Sequence, residues 1–185
     1  MKHFYWILFC ISIQIGSIQL ADAQSTVIQS EEKFQERCAY LLDKGGIWEA
    51  PNAQYDSTQQ WSPTAFGYKF EKGMHPNILK IQIYGVIQGK KYSYWEGYNF
   101  WNAAKQRAGY FSIGSGGQIA RGDALNAAGH LHFEIFNPDG TTSQHLDIHE
   151  INSNDEMIAQ SYIIKNGKWE ANNRFIWKRI TAPNK

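Results

Sequence analysis

The chain has 185 residues, 43% hydrophobic and 15% aromatic, and its 18 Lys+Arg against 17 Asp+Glu leave a net charge of +1. So many aromatics exclude wholesale disorder, and so balanced a charge leaves no electrostatic footprint for DNA or RNA. Its 16 glycines and 5 prolines exclude a collagenous or low-complexity chain.

Residues 1–23 read as a cleaved signal peptide. Lys2 supplies a positive start, Phe4 to Leu20 a mostly apolar run, and Ala21-Asp22-Ala23 an A-x-A cleavage site. The apolar run is shorter than the roughly 20 residues of a spanning helix, so no membrane span is expected after cleavage. The expected product is exported, to the periplasm or the medium, as one domain over 24–185. Cys10 leaves with the leader and Cys38 remains alone, so the mature chain has no internal disulfide.

A helix is predicted over about 30–44. Ser30 caps it, Glu31 and Glu32 occupy the first turn, and Phe34, Cys38, Leu41 and Leu42 fall on one stripe. Gly45 and Gly46 end it. From about 46 to 180 the apolar pattern has period two: Phe66, Tyr68, Phe70; Leu79, Ile81, Ile83; Leu131, Phe133, Ile135. Turn signals separate the runs at Gln88-Gly89, Gly114 to Gly117, Asn137-Pro138-Asp139-Gly140 and Asn166-Gly167. No helical pattern recurs between them, as parallel strands would need. The expected fold is all-β, a single antiparallel up-and-down barrel of about 8–10 strands with one N-terminal helix.

A two-residue Asn166-Gly167 turn sets Lys165 opposite Lys168, Ile164 opposite Trp169, Tyr162 opposite Ala171, Gln160 opposite Asn173 and Ile158 opposite Phe175. The face bearing Ile158, Gln160, Tyr162, Ile164, Trp169, Ala171, Asn173, Phe175 and Trp177 is then the inner one. Amides and a phenol among apolar groups suit a cavity that orients a ligand. Gln160, Tyr162 and Asn173 are the candidate orienting groups, and Trp169 and Phe175 the candidate walls.

Gly46-Ile47-Trp48 opening the first strand, and Arg179 closing the last, resemble the lipocalin or calycin barrels. That resemblance implies that Trp48 packs against Arg179 as a structural closure of the barrel. The later run, with Asn-Pro-Asp-Gly, Gly167-Lys168-Trp169 and Trp177-Lys178-Arg179, is similar to secreted bacterial lipocalin-like domains of unknown function. Trp48 is followed by Glu49-Ala50-Pro51, so the extended glycine motif of the haem-binding relatives is missing.

Other constellations are less directed. His130, His132, His145 and His149 lie on two neighbouring predicted strands and are candidates for a transition-metal site. Leu131, Phe133 and Ile135 on one strand and Leu146 and Ile148 on the next claim the inside, however, which turns the histidines to solvent. There is no G-x-S-x-G, H-E-x-x-H or C-x-x-C. Residues 92–101 carry aromatics on both faces, as a sticky outer patch or a covered one would. The function expected from these residues is binding of a small, largely apolar or aromatic ligand inside the barrel, with no cofactor specified. The alternatives are an enzyme acting in the same cavity, metal-assisted through the histidines, and an interaction module using residues 92–101.

Overall fold

The computed structural model describes residues 29–180; the expected signal peptide lies outside them. A helix, α1 (Glu31–Leu42), precedes ten strands: β1 (Ile47–Pro51), β2 (Ala65–Lys72), β3 (Ile78–Ile87), β4 (Lys90–Asn102), β5 (Arg107–Gly114), β6 (Ile119–Ala124), β7 (Leu131–Phe136), β8 (Thr142–Ile151), β9 (Met157–Lys165) and β10 (Lys168–Arg179). Each strand pairs antiparallel with the next, and β1 pairs with β10, which closes an up-and-down barrel. The closing seam is short, with Trp48 opposite Arg179 and Glu49 opposite Lys178, but it joins the last strand to the first. The local chemistry matches the turns: Gln88-Gly89 and Asn166-Gly167 have positive φ at both positions, as a two-residue type I′ hairpin requires.

The Ser30 hydroxyl accepts from Lys33 N at 3.1 Å and caps α1. The helix buries Phe34, Cys38 and Leu41, and apolar burial of that kind stabilises by roughly 1.5–3 kcal/mol for a large side chain. Its contacts identify the end of the barrel it covers. Phe34 packs on Trp101 at 6.4 Å between ring centroids, near the end of β4. Gln29, just before the helix, donates to Ala124 O at 2.6 Å and accepts from Ala108 N at 3.0 Å.

The C-terminal end of α1 is tied to the first and last strands. Trp48 is fully buried, pairs with Arg179 across β1 and β10, and donates its indole N–H to Leu41 O at 3.1 Å. The Arg179 guanidinium lies 4.2 Å from the ring centroids of both Trp48 and Tyr40. It donates to Tyr40 O at 2.6 Å and Asp43 O at 3.3 Å, and through Nε to Asp155 at 3.1 Å. The last carbonyls of a helix lack partners within it, so a cation there satisfies them and complements the helix dipole.

The hairpin register departs from the sequence expectation in one place. Lys165 faces Lys168, Ile164 faces Trp169 and Tyr162 faces Ala171, as the turn dictates, but Gln160 then faces Arg174 and Ile158 faces Ile176. A bulge between Ala171 and Arg174 is the cause. Slipping the register by one residue sends a strand's side chains to the other face. Phe175 and Trp177 do point inward, but their partners are Ala159 and Met157, both buried. The inner row of β9 is therefore Met157, Ala159, Ser161 and Ile163, and Ile158, Gln160, Tyr162 and Ile164 lie outside.

A second correction concerns β8. The loop from Asn137 to Thr141 is closed by Asn137 N donating to Thr141 O at 2.9 Å. It sets Phe136 opposite Thr142, Phe133 opposite His145 and Leu131 opposite Asp147. Directly paired residues share a face. Leu131 and Phe133 face inward as expected, so His145 and Asp147 join them, and His149 follows by alternation. Leu146 is buried, but on the outer surface, in the row His132, Leu146, Tyr162, Ala171.

Candidate functional site

The barrel interior is filled at one side and open at another. Phe66, Tyr68, Phe175 and Trp177 make a continuous aromatic pack, with centroid separations of 5.6 Å for Phe66–Phe175, 5.2 Å for Phe175–Trp177 and 4.5 Å for Tyr68–Trp177. Tyr94 joins it through Phe66 at 6.3 Å. Tyr94 is skipped in the pairing of β3 with β4, where Ile83 faces Trp95 and Tyr84 faces Ser93. That bulge turns both Tyr94 and Trp95 inward, which explains part of the aromatic excess at residues 92–101. Tyr92 packs edge-on against Trp61 at 6.2 Å, and Tyr98 stays exposed on the outer wall.

Beneath α1 lies a cavity of about 180 Å³. Its walls are mostly apolar: Leu41 from the helix, Ile81, Ile83 and Trp95 from β3 and β4, Ala120 from β6, Leu131, Phe133 and Ile135 from β7, and Met157 from β9. Its polar groups are few and converge from different elements: Arg37 from α1, Tyr68 from β2, Asn99 from β4, Tyr110 from β5, and Asp147 and His149 from β8. A smaller space of about 60 Å³ adjoins it toward the start of the helix, and Arg37, Asn99, Leu131 and His149 line both.

The hydrogen bonding of these polar groups is uneven. Tyr110 and Ser112 share a 2.7 Å bond between hydroxyls. His149 Nδ1 lies 2.8 Å from Gly129 O; a carbonyl only accepts, so the proton sits on Nδ1. Arg37 Nη2 lies 3.4 Å from that same nitrogen and finds no acceptor there. Arg37 has no salt bridge among the described residues, and Gly129 lies so close that a Cβ on it would fall 2.3 Å from Arg37 Nε. Neither the Asp147 carboxyl nor the Tyr68 hydroxyl has a hydrogen-bond partner among the described residues, and the surface they retain belongs to the cavity.

Burial sets the protonation states. It pushes the Asp147 carboxyl up to about 7 with no cation offsetting the shift. It pulls His149 down to about 3, helped by the charge on Arg37, so this imidazole is neutral. It raises the Tyr68 phenol, with Asp147 contributing second, and lifts the Tyr110 phenol to about 12. Burial also lowers the Arg37 guanidinium to about 10, which leaves it charged at neutral pH. At pH 6 the described residues thus set one charged group, Arg37, among neutral donors and acceptors in an apolar chamber.

The candidate residues separate. Phe175 belongs to the inner aromatic pack. Asn173 sits in the β10 bulge, where its backbone N–H and carbonyl both bond the Ser161 hydroxyl, at 3.0 Å and 3.1 Å. Gln160 donates to backbone carbonyls of Ser161 and Asn173, and with Tyr162 and Trp169 it lies on the outer face; none of the three lines the cavity. Trp169 meets His132 edge-on at 5.8 Å. His145 stacks on Phe133 at 5.1 Å and bonds the Ser143 hydroxyl, while His130 Nε2 donates to His149 O at 3.0 Å. The expectation that His145 and His149 point to solvent is thus corrected. Among the described residues no group of three or more His, Cys, Asp or Glu is placed to hold a metal ion.

Sequence reasoning missed Arg37, Tyr68 and Asp147. Arg37 falls at i+3 from Phe34, beside the apolar stripe of α1, a signal visible in the chain; the alternation of Asp147 with Leu146 and Ile148 pointed it to solvent instead. The closed ten-stranded barrel with one short helix is consistent with the lipocalin-like expectation. No family model, curated protein or solved structure matches the chain. Among the described residues no helix is long and apolar enough to cross a membrane.

Proposed function

We propose that this chain is an exported binding protein that takes a small, largely apolar ligand into the barrel beneath α1. The observation that carries the reading is the 180 Å³ apolar chamber with convergent polar groups, of which Asp147 and Tyr68 have no hydrogen-bond partner among the described residues. Ligand sites combine an apolar lining with a few placed polar groups, and a buried polar group without a partner is costly unless something else satisfies it. For scale, an apolar cavity of about 150 Å³ admits benzene, so the chamber suits one ring or a short alkyl chain. Export rests on the leader-like residues 1–23.

The test is native mass spectrometry of the purified protein, followed by calorimetric titration with single-ring compounds. Trp95 lines the chamber, so its fluorescence gives a second readout. A co-purifying small molecule, or saturable binding that Ala120→Trp abolishes, is the expected result. An empty protein that binds no ring or chain compound would refute the proposal.

A further inference from the structure

We infer that the ligand is a carboxylate: its acid group meets Arg37 at the junction of the two cavities, and its apolar body fills the larger one. The inference rests on the binding reading above and assigns the chemistry of the bound molecule.

Three observations carry it. Arg37 is a half-buried guanidinium with no acidic partner among the described residues, and the imidazole nitrogen beside it, His149 Nδ1, is committed to Gly129 O. A charge withdrawn from water in this way needs a counter-charge. The second is position. Arg37 lines both the 180 Å³ chamber and the 60 Å³ space beside it, so an acid group at the guanidinium has the apolar chamber on one side and a smaller space with several polar groups on the other. The smaller space also offers Asn99, while Lys33, which lines it too, is held by Glu36 at 2.6 Å. Among the described residues the site thus holds one free cation, which matches one negative charge.

The third is the acid on the chamber wall. Asp147 opens on the same chamber. In its neutral form it donates a hydrogen bond and brings no second charge to the chamber, which leaves Arg37 to meet the charge of the ligand. A planar monoanion also suits the fork of a guanidinium. The 180 Å³ chamber limits the body to about one aromatic ring or a short alkyl chain.

The experiment compares phenylacetate with 2-phenylethanol by isothermal titration at pH 6, on the wild-type protein and on Arg37→Gln. The expected result is that wild type binds the acid at least about tenfold more tightly than the alcohol, the scale of one hydrogen bond to a charged group, and that Arg37→Gln abolishes this preference while still binding the alcohol. Equal affinity for acid and alcohol in wild type overturns the carboxylate inference and leaves the cavity reading standing. Binding of neither compound, nor of hexanoate or hexanol, overturns both. If Arg37→Gln does not fold, the wild-type ratio, together with 2-phenylethylamine as a cationic control, decides alone: an amine that binds as tightly as the acid refutes it.

Discussion

Replacing Asp147 by Asn removes the ionisable group and nearly conserves its volume. In the folded chain the carboxyl titrates near 7 because it is buried; in the unfolded chain it returns to its ordinary value of 3.8. Between these values the native state holds a proton that the unfolded state has released. Stability falls as pH rises through that window and does not recover above it. The rise from 3.8 to about 7 is worth about 4 kcal/mol as an upper limit, and about 2 kcal/mol once water reaching the cavity is allowed for. The variant lacks this loss. His149 works in the opposite sense: its neutral form is favoured down to about 3, so stability falls as pH drops below the ordinary histidine range. His145, lowered by burial, acts in the same sense. Both are present in wild type and variant, and cancel in the difference. Urea unfolding of both proteins at pH 4, 6 and 8, followed by circular dichroism, should show Asp147→Asn gaining about 2–4 kcal/mol on wild type between pH 4 and pH 8. A difference that stays constant within about 0.5 kcal/mol over that range would refute the assignment of a neutral, buried carboxyl.

Arg179→Ala should cost about 3 kcal/mol in urea unfolding, because it leaves the Tyr40 and Asp43 carbonyls and the Trp48 ring without their cation; a change below 1 kcal/mol would show that the cluster is not the clasp of the barrel. Gly129→Ala should lower the melting temperature, since φ is +79° there and the new Cβ meets Arg37, and it should weaken acid binding more than alcohol binding. Phe175→Ala should destabilise by about 3 kcal/mol and Tyr162→Ala by less than about 1 kcal/mol; equal losses would put Tyr162 back inside. In a chain carrying Cys10→Ser, Cys38 should resist thiol reagents until unfolding, since burial pushes its thiol up to about 11.

The parts of the fold legible in the chain were those governed by local chemistry. Ser30 with Glu31 and Glu32 marks the start of α1, and Asn166-Gly167 dictates the last hairpin for its first three pairs. The period-two runs imply an antiparallel closed sheet without stating how many residues each turn absorbs. The meeting of Trp48 and Arg179 at the helix end came from a resemblance in short motifs, because no periodicity relates positions so far apart.

The inner face was misread where a single residue decides it. The β10 bulge between Ala171 and Arg174 has no glycine or proline to announce it, yet it shifts Gln160 from Asn173 to Arg174 and turns the whole of β9 over. Reading β8 failed for a related reason. Leu146 and Ile148 look like core residues because they are apolar, and Asp147 and His149 look like surface because they are polar. That assumption holds for a filled barrel and inverts for one with a chamber. Where part of the interior is kept open, polar side chains face inward and apolar ones are left for the wall outside, as with Leu146 beneath the row of His132 and Tyr162. The register offers an independent check: Phe133 must face inward to meet Tyr110 edge-on at 5.6 Å, and its partner His145 must then share that face. Pairing outranks polarity as a guide to facing, and in this chain the strand on which the two disagree is the one that carries Asp147 and His149 into the cavity.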